Sequence, residues 1–384
     1  MARSVMQMRA ISPALWEDAI ERRGQHVLWY SAASCFCVSD NGRVDPNCSS
    51  CYGKGFIYRP VRSTRRIITG VAEGAAVIDI SAKGVQIGSI LRLYTGVATE
   101  AQVQSFTPTT FTPVVRIPKG TRYTLDFVET FVQSYVGVAS YIGRGIIDVP
   151  IRVSNNQNYF AGSIVSVVSA RNVTKDRPLI VKKFWANKIL TSSNVAEDDE
   201  LLVEVEYVRA SKFLVTSVNP KSKIEGNIVL QDADAMMAFP GTFHIGRGDI
   251  IVLQLAEAKE TIVGYNEGPT YVFPYQSIAR ILSVEDKHGE IRDFTLVNDN
   301  EILWGSRVPD RFSCAFTYHP AFSVLADLPN LRYSEDKIFP KRVFLKKFGT
   351  FSHPSKVLSL EPANIEETGL LDDPMKADEG GLIW

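Results

Sequence analysis

Four of the chain's five cysteines fall between positions 35 and 51, as Cys35-Phe36-Cys37 and then, after ten residues, Cys48-Ser49-Ser50-Cys51. The surrounding stretch SCFCVSDNGRVDPNCSSCYGKGFIY, 34–58, is dense in turn residues and has little apolar core of its own. Such a segment holds one shape only if something ties it, and two converging cysteine pairs make a tetrahedral thiolate set suited to Zn2+. In an extended segment residues i and i+2 project to one side, which would aim Cys35 and Cys37 at a single ion. Asp40-Asn41-Gly42 and Asp45-Pro46-Asn47 supply two tight reversals. Gly53 and Gly55 permit backbone that a Cβ would hinder, and Phe56, Ile57 and Tyr58 open a strand.

A catalytic zinc needs an open coordination position and a nearby base, and no histidine or carboxylate stands at ligand spacing here. The expected role of Cys35, Cys37, Cys48 and Cys51 is therefore a structural zinc site. Disulfides are the alternative, disfavoured in a reducing compartment. Such a compartment is expected because 1–20 lacks the apolar core of a signal peptide and no run approaches the roughly 20 apolar residues of a membrane span. Cys314, alone in a hydrophobic run, reads as a packed core thiol.

With 384 residues, 45% of them hydrophobic, the chain is too long for one core, so two or three domains are expected. Lys+Arg and Asp+Glu are both 42, and a formal charge of zero argues against a protein that coats nucleic acid. Arg59, Arg62, Arg65 and Arg66 follow the cysteines as a local basic cluster. A zinc knuckle followed by arginines invites a nucleic-acid reading, but no recognition-helix pattern accompanies it, so a solvated or protein-facing surface is the expectation.

Ser12-Pro13 is a helix start and Gly24 a stop, with Leu15, Trp16, Ala19 and Ile20 as an apolar stripe between them. From Ile67 to Lys223 short apolar runs alternate with period two: AAVIDI at 75–80, SILRLYTGV at 89–97, RYTLDFV at 122–128, SIVSVVSA at 163–170 and LLVEVEYV at 201–208. These predict sandwich or barrel strands. In the last run Leu201, Val203, Val205 and Tyr207 form the expected buried face and Leu202, Glu204 and Glu206 the other. QVQSFTPTTFTPVV, 102–115, reads as an extended arm or edge strand.

Residues 224–350 predict another β domain, with strands at 227–231, 249–255 and 291–297 and a turn at 286–289. Arg247-Gly248-Asp249 matches an integrin-recognition triplet, but in GRGDIIVL it reads as a turn entering a buried strand. Asp232 and Asp234 read as surface carboxylates. From 353 to 384 seven acidic residues face two basic ones, and the chain closes on Leu382, Ile383 and Trp384, expected to lie along a neighbouring subunit.

The expected fold is mainly β, with β-sandwich or barrel-like domains, one short amino-terminal helix and a four-cysteine zinc knuckle. The expected domains are 1–66 (helix plus knuckle), 67–223 (β-rich, one unit or two), 224–350 (β domain) and 351–384 (acidic extended tail). Nucleophile-elbow, P-loop, zincin and dinucleotide-binding signatures are absent, and the five histidines are scattered, so no enzyme is expected.

The wording CFCVSDNGRVDPNCSSCYGKGFIY resembles a segment of tailed-bacteriophage virion proteins encoded among head and tail-connector genes. GRGDIIVL, NDNEILWGSRVPDRFSCAFTYHPAFSV and FPKRVFLKK are similar to the β-domain of such proteins. The match is strong over 27–60 and weaker over 226–348. The resemblance implies a virion subunit of the neck or head-to-tail connector, present as a ring of identical copies with zinc as a fold staple. Its partners would be itself and other virion proteins, with no membrane, no small-molecule substrate and no direct nucleic-acid contact. Two alternatives are kept: a zinc-containing nucleic-acid-binding protein using the four arginines, and a tail or baseplate protein that binds or cleaves glycans.

Overall fold

The computed structural model describes residues 19–347 apart from 21, 49–50, 52–54, 97–98, 152–161, 193–194, 218–233, 255, 267, 274–276, 298–299, 329–332, 335–336 and 339–340. The acidic 351–384 segment with Leu382, Ile383 and Trp384, the strand expected at 227–231, and Asp232 lie outside the described residues.

The protein is mainly β, and its centre is a closed six-stranded antiparallel barrel. Going around it, Gln25–Ser34 pairs with Ser211–Ser217, which pairs with Ala235–Phe239, then Lys341–Lys347, Ala321–Leu328 and Ile250–Leu253, and the last returns to Gln25–Ser34. Closure removes the free sheet edges that an open sheet exposes. The barrel interior is filled by Val27, Trp29, Phe213, Met237, Phe239, Phe243, Ile251, Val343 and Leu345. Trp29 stacks on Phe243 with centroids 6.0 Å apart, and Phe213 meets Phe243 edge-on at 5.8 Å.

Three lobes are inserted between barrel strands. The first, 63–130, pairs Ser63–Val71 and Ile87–Thr95 on either side of Arg122–Thr130. Its core gathers Leu93, Phe111, Leu125 and Phe127. The second, 132–209, sets Leu201–Arg209 between Val132–Gly143 and Gly162–Asn172, over Ile147, Ile189, Val203 and Val205. The third, 258–318, sets Arg311–Tyr318 between Ala258–Tyr265 and Ile278–Asp286, over Phe273, Phe312, Cys314 and Phe316. The second and third lobes touch where Arg144 donates to Leu303 O at 3.2 Å and pairs with Asp293.

Strand pairing does not follow the sequential blocks 1–66, 67–223 and 224–350. Each block contributes strands to the one barrel, and the 67–223 region divides into the two lobes and the strand Ser211–Ser217. The short amino-terminal helix is not seen as an element. Residues 12–18 of the expected helix, Ser12, Pro13, Leu15 and Trp16 among them, lie outside the described residues, and of the remainder Ala19, Ile20, Arg22 and Arg23 are helical.

The stretch 102–115 forms a hairpin: Val103–Phe106 pairs with Thr110–Pro113, and Thr107 and Thr110 close its turn through their hydroxyls at 2.7 Å. Phe111 is fully buried in the first lobe's core and Val103–Phe106 lies at a sheet edge, so of the two expectations the edge strand holds and the arm does not.

Candidate metal centre

The four cysteines hang from the end of the first barrel strand. Gln25–Ser34 runs beyond its barrel partners and pairs with Phe56–Pro60 from Tyr30 to Ser34, so the chain leaves at Cys35 and returns at Phe56. The base of the loop is fixed by Cys35 N–H donating to Gly55 O at 2.8 Å.

Within the loop each reversal has a local cause. Gly42 sits at φ 72, with its N–H on Ser39 O at 2.8 Å and Ser39 N–H on Arg43 O at 2.9 Å. Asp45 Oδ1 accepts from Asn47 N–H at 2.9 Å, and Asp45 O from Cys48 N–H at 3.3 Å, which turns the chain into the second cysteine pair. Gly55 combines φ 76 with close approach, since a Cβ there would lie 2.7 Å from Val44 Cγ2. Gly53 lies outside the described residues.

Cys35 and Cys37 do not converge by strand alternation. Val38 N–H donates to Cys35 O at 3.0 Å, so 35–38 is a turn, and its reversal brings the two thiols together while Phe36 faces solvent. All four Sγ atoms lie within 4.8 Å of one another, with Cys35 to Cys48 at 3.7 Å and Cys37 to Cys51 at 3.3 Å. A tetrahedron of Zn–S bonds of about 2.3 Å has edges of about 3.8 Å, so the set matches the dimensions of a four-thiolate metal site. These separations exceed a disulfide's length of about 2.05 Å, and none of the four cysteines is in a disulfide.

The surroundings agree with a cation. Cys35, Cys48 and Cys51 are buried and Cys37 is partly so. Gly55 N–H donates to Cys51 Sγ at 3.3 Å, the kind of backbone donor that steadies a ligating thiolate. Burial raises the Cys35 thiol above its ordinary value. It pushes Cys37 up to about 12, with the neighbouring thiols Cys51, Cys35 and Cys48 adding to the effect. Thiols crowded this way resist ionisation until a positive charge sits among them, which is what a divalent metal provides. Four cysteines close together, able to bind a metal, are the chemical centre of the described structure. Cys314 lies apart from them, fully buried in the third lobe, its thiol pushed up to about 12 by burial.

The four arginines after the knuckle do not act as one surface. Arg59 and Arg62 are exposed. Arg65 makes a two-point pair with the buried Asp126, at 2.9 and 2.6 Å. Arg66 turns inward, its Nη1 2.9 Å from Glu129 Oε2 and its guanidinium 5.7 Å from the Phe243 ring centroid. Glu129 also takes Arg209, whose guanidinium lies over Phe131. One buried carboxylate thus joins the first lobe, the second lobe and the barrel core. Residue types alone gave no sign of this group, because its three charges come from strands far apart in sequence.

Asp249 is buried, with its carboxylate engaged by Trp29, Ala32 and Gly246. The Arg247-Gly248-Asp249 triplet is therefore a turn into a buried strand, as its context suggested. Asp234 holds Lys347 N–H at 2.6 Å, a structural contact. No described helix is long and apolar enough to cross a membrane. No protein-family model matches the chain, and a search of curated proteins finds no significant match.

Proposed function

We propose that this chain is a structural subunit of a tailed-phage virion, placed at the neck or head-to-tail connector, and that Cys35, Cys37, Cys48 and Cys51 hold one structural Zn2+. The observation that carries the reading is the completeness of the ligand set. Four sulfurs within 4.8 Å, three of them buried, fill a tetrahedral ion's coordination and favour a staple over a reaction centre.

When bound, zinc supplies charge and four bonds. The chain's own residues do the rest. Cys35 N–H and Gly55 O clamp the loop base, Gly55 N–H steadies Cys51 Sγ, and the Tyr30–Ser34 pairing with Phe56–Pro60 carries that rigidity into the barrel. Structural sites of this kind can contribute about 10–16 kcal/mol of apparent binding energy to local folding.

The virion assignment draws on the resemblance of the 35–58 wording and on the all-β build, with three lobes displayed around a closed barrel. Zero formal charge favours protein over nucleic-acid partners. In a ring each copy presents one surface to the neighbour ahead and a different one to the neighbour behind, and separate lobes suit that need.

The test is metal analysis, thiol titration and light scattering on the purified full chain, with gold-labelled antibody on purified particles. The expected result is one zinc per chain with reduced thiols, closed oligomers and label at the neck. Well under one zinc per chain with oxidised thiols overturns the site, and particles without label overturn the virion role.

A further inference from the structure

We propose that the four-cysteine centre is a redox-sensitive release switch, in which a hydroperoxide oxidises Cys37 first and Cys51 then closes on it as a disulfide. This inference rests on the reading of the cysteines as a metal site and adds its regulation.

The four sulfurs are not equivalent. Cys35, Cys48 and Cys51 are 2%, 7% and 1% exposed, whereas Cys37 is only partly buried and sits beside Phe36, which is 70% exposed at the tip of the turn. An oxidant arriving from solvent therefore meets Cys37 first. Cys51 is within reach as its partner. Cys51 Sγ lies 3.3 Å from Cys37 Sγ, while the other close pair, Cys35 with Cys48, is 3.7 Å apart and more deeply enclosed. Oxidation of an accessible thiolate next to a second one is the usual route from a sulfenic acid to a disulfide.

The chemistry balances with a hydroperoxide as oxidant. The Cys37 thiolate attacks the O–O bond, an S–O bond forms, and the alkoxide or hydroxide leaves and takes a proton from solvent. Cys51 thiolate attacks the sulfenic sulfur, the S–S bond forms, and hydroxide leaves and is protonated to water. Two thiolates give up two electrons and the peroxide takes them. Two of the four ligand sulfurs are thereby withdrawn from the ion, and the remaining pair is too few to hold it tightly. Cys35 keeps its N–H on Gly55 O and the strand pairing at Tyr30–Ser34 persists, so the loop stays attached to the barrel and the change is reversible by a thiol reductant.

The experiment treats the purified full chain with graded hydrogen peroxide, follows metal release with a chromogenic chelator, and maps disulfides by peptide mass spectrometry without reduction. The expected result is that the first disulfide joins Cys37 to Cys51, with one ion released per disulfide, and that dithiothreitol plus zinc restores the starting state. A first disulfide joining any other pair overturns the switch, as does oxidation of Cys37 beyond the sulfenic stage with Cys51 still reduced. A chain isolated without metal overturns the metal reading instead, and the identity of the first disulfide still decides the order of oxidation. Cys37→Ser serves as the second probe, read on the thiols and not on the metal: it removes the exposed thiol, and oxidation of Cys51 then needs at least several-fold more peroxide. Unchanged sensitivity in that variant counts against the proposal.

Discussion

Trp29 Nε1 donates to Asp249 Oδ2 at 2.8 Å across 220 residues of sequence, inside the barrel. The same carboxylate accepts from Ala32 N–H at 2.9 Å and from Gly246 N–H at 3.0 Å. One aspartate thus fixes the first barrel strand, which carries the four-cysteine loop, against the turn that opens the strand Ile250–Leu253. Asp249→Ala leaves three donors without their acceptor in a buried place, at a cost of about 3 kcal/mol or more. Urea unfolding followed by tryptophan fluorescence measures it. Arg247→Ala, two residues away and exposed, should change the unfolding free energy by no more than about 0.5 kcal/mol.

Metal removal should act locally. With a strong chelator, or in Cys51→Ser, amide exchange should rise through 36–54, between the Cys35 N–H bond to Gly55 O and the strand Phe56–Pro60 that hold the loop's base. Val27–Tyr30 should stay protected, because those residues pair with Ile250–Leu253 inside the closed barrel. Exchange that rises equally across the three lobes would contradict a local staple and point to a global role for the ion.

Acid should loosen the second lobe through Asp199. Its Oδ2 accepts from Ala196 N–H, Lys175 Nζ and Asn172 Nδ2, each at 2.7 Å. The Ala196 N–H first, and then the Lys175 ammonium, hold this carboxyl down to about 2. An unfolded aspartate titrates near about 3.9. A folded value below the unfolded one adds stability that is complete above about pH 4 and is lost as pH falls through about 2. Asp199→Asn should therefore lower the melting temperature at neutral pH, and the gap from the native chain should close as the pH drops from about 4 to 2. A gap that stays constant over that range would exclude the mechanism.

What could be read in the sequence follows from which contacts are local. LLVEVEYV alternates because its sheet has one packed face, and Leu201, Val203 and Val205 are fully buried while Leu202 is exposed. DIIVLQL does not alternate because both faces of its strand are covered. Ile251 and Leu253 enter the barrel interior, whereas Ile250 and Val252 pack outside with Leu28 and Tyr30. The barrel itself left no local mark, since it closes by pairs such as Gln25 with Phe213, and no window of sequence holds both partners. Threonine and proline left 102–115 open between an arm and an edge strand, and what decides it, the burial of Phe111 and Pro113, is not marked by residue type. The four-cysteine cluster was legible because thiols are rare and their spacing is short. Its geometry was not, because the turn at Cys35–Val38 depends on a backbone hydrogen bond that composition does not specify.

The buried group around Glu129 offers the sharpest test of how the lobes are joined. Glu129 is 1% exposed and faces Arg66 on the strand Ser63–Val71 and Arg209 at the end of Leu201–Arg209. Removing the carboxylate alone strands two guanidinium groups among aromatic rings, so Glu129→Ala should cost about 3–5 kcal/mol. Replacing all three at once, Arg66→Met with Glu129→Leu and Arg209→Met, removes the charges and their desolvation together and should recover most of that loss. Because the group sits where the lobes meet the barrel, the readout is amide exchange in these two strands. Protection lost in Glu129→Ala and regained in the triple variant identifies the group as a charge-balanced joint between lobes and barrel. If the triple variant stays as open as the single one, the arginines act through their stacking on Phe243 and Phe131, and the aromatic contacts rather than the ion pairs hold the lobes in place.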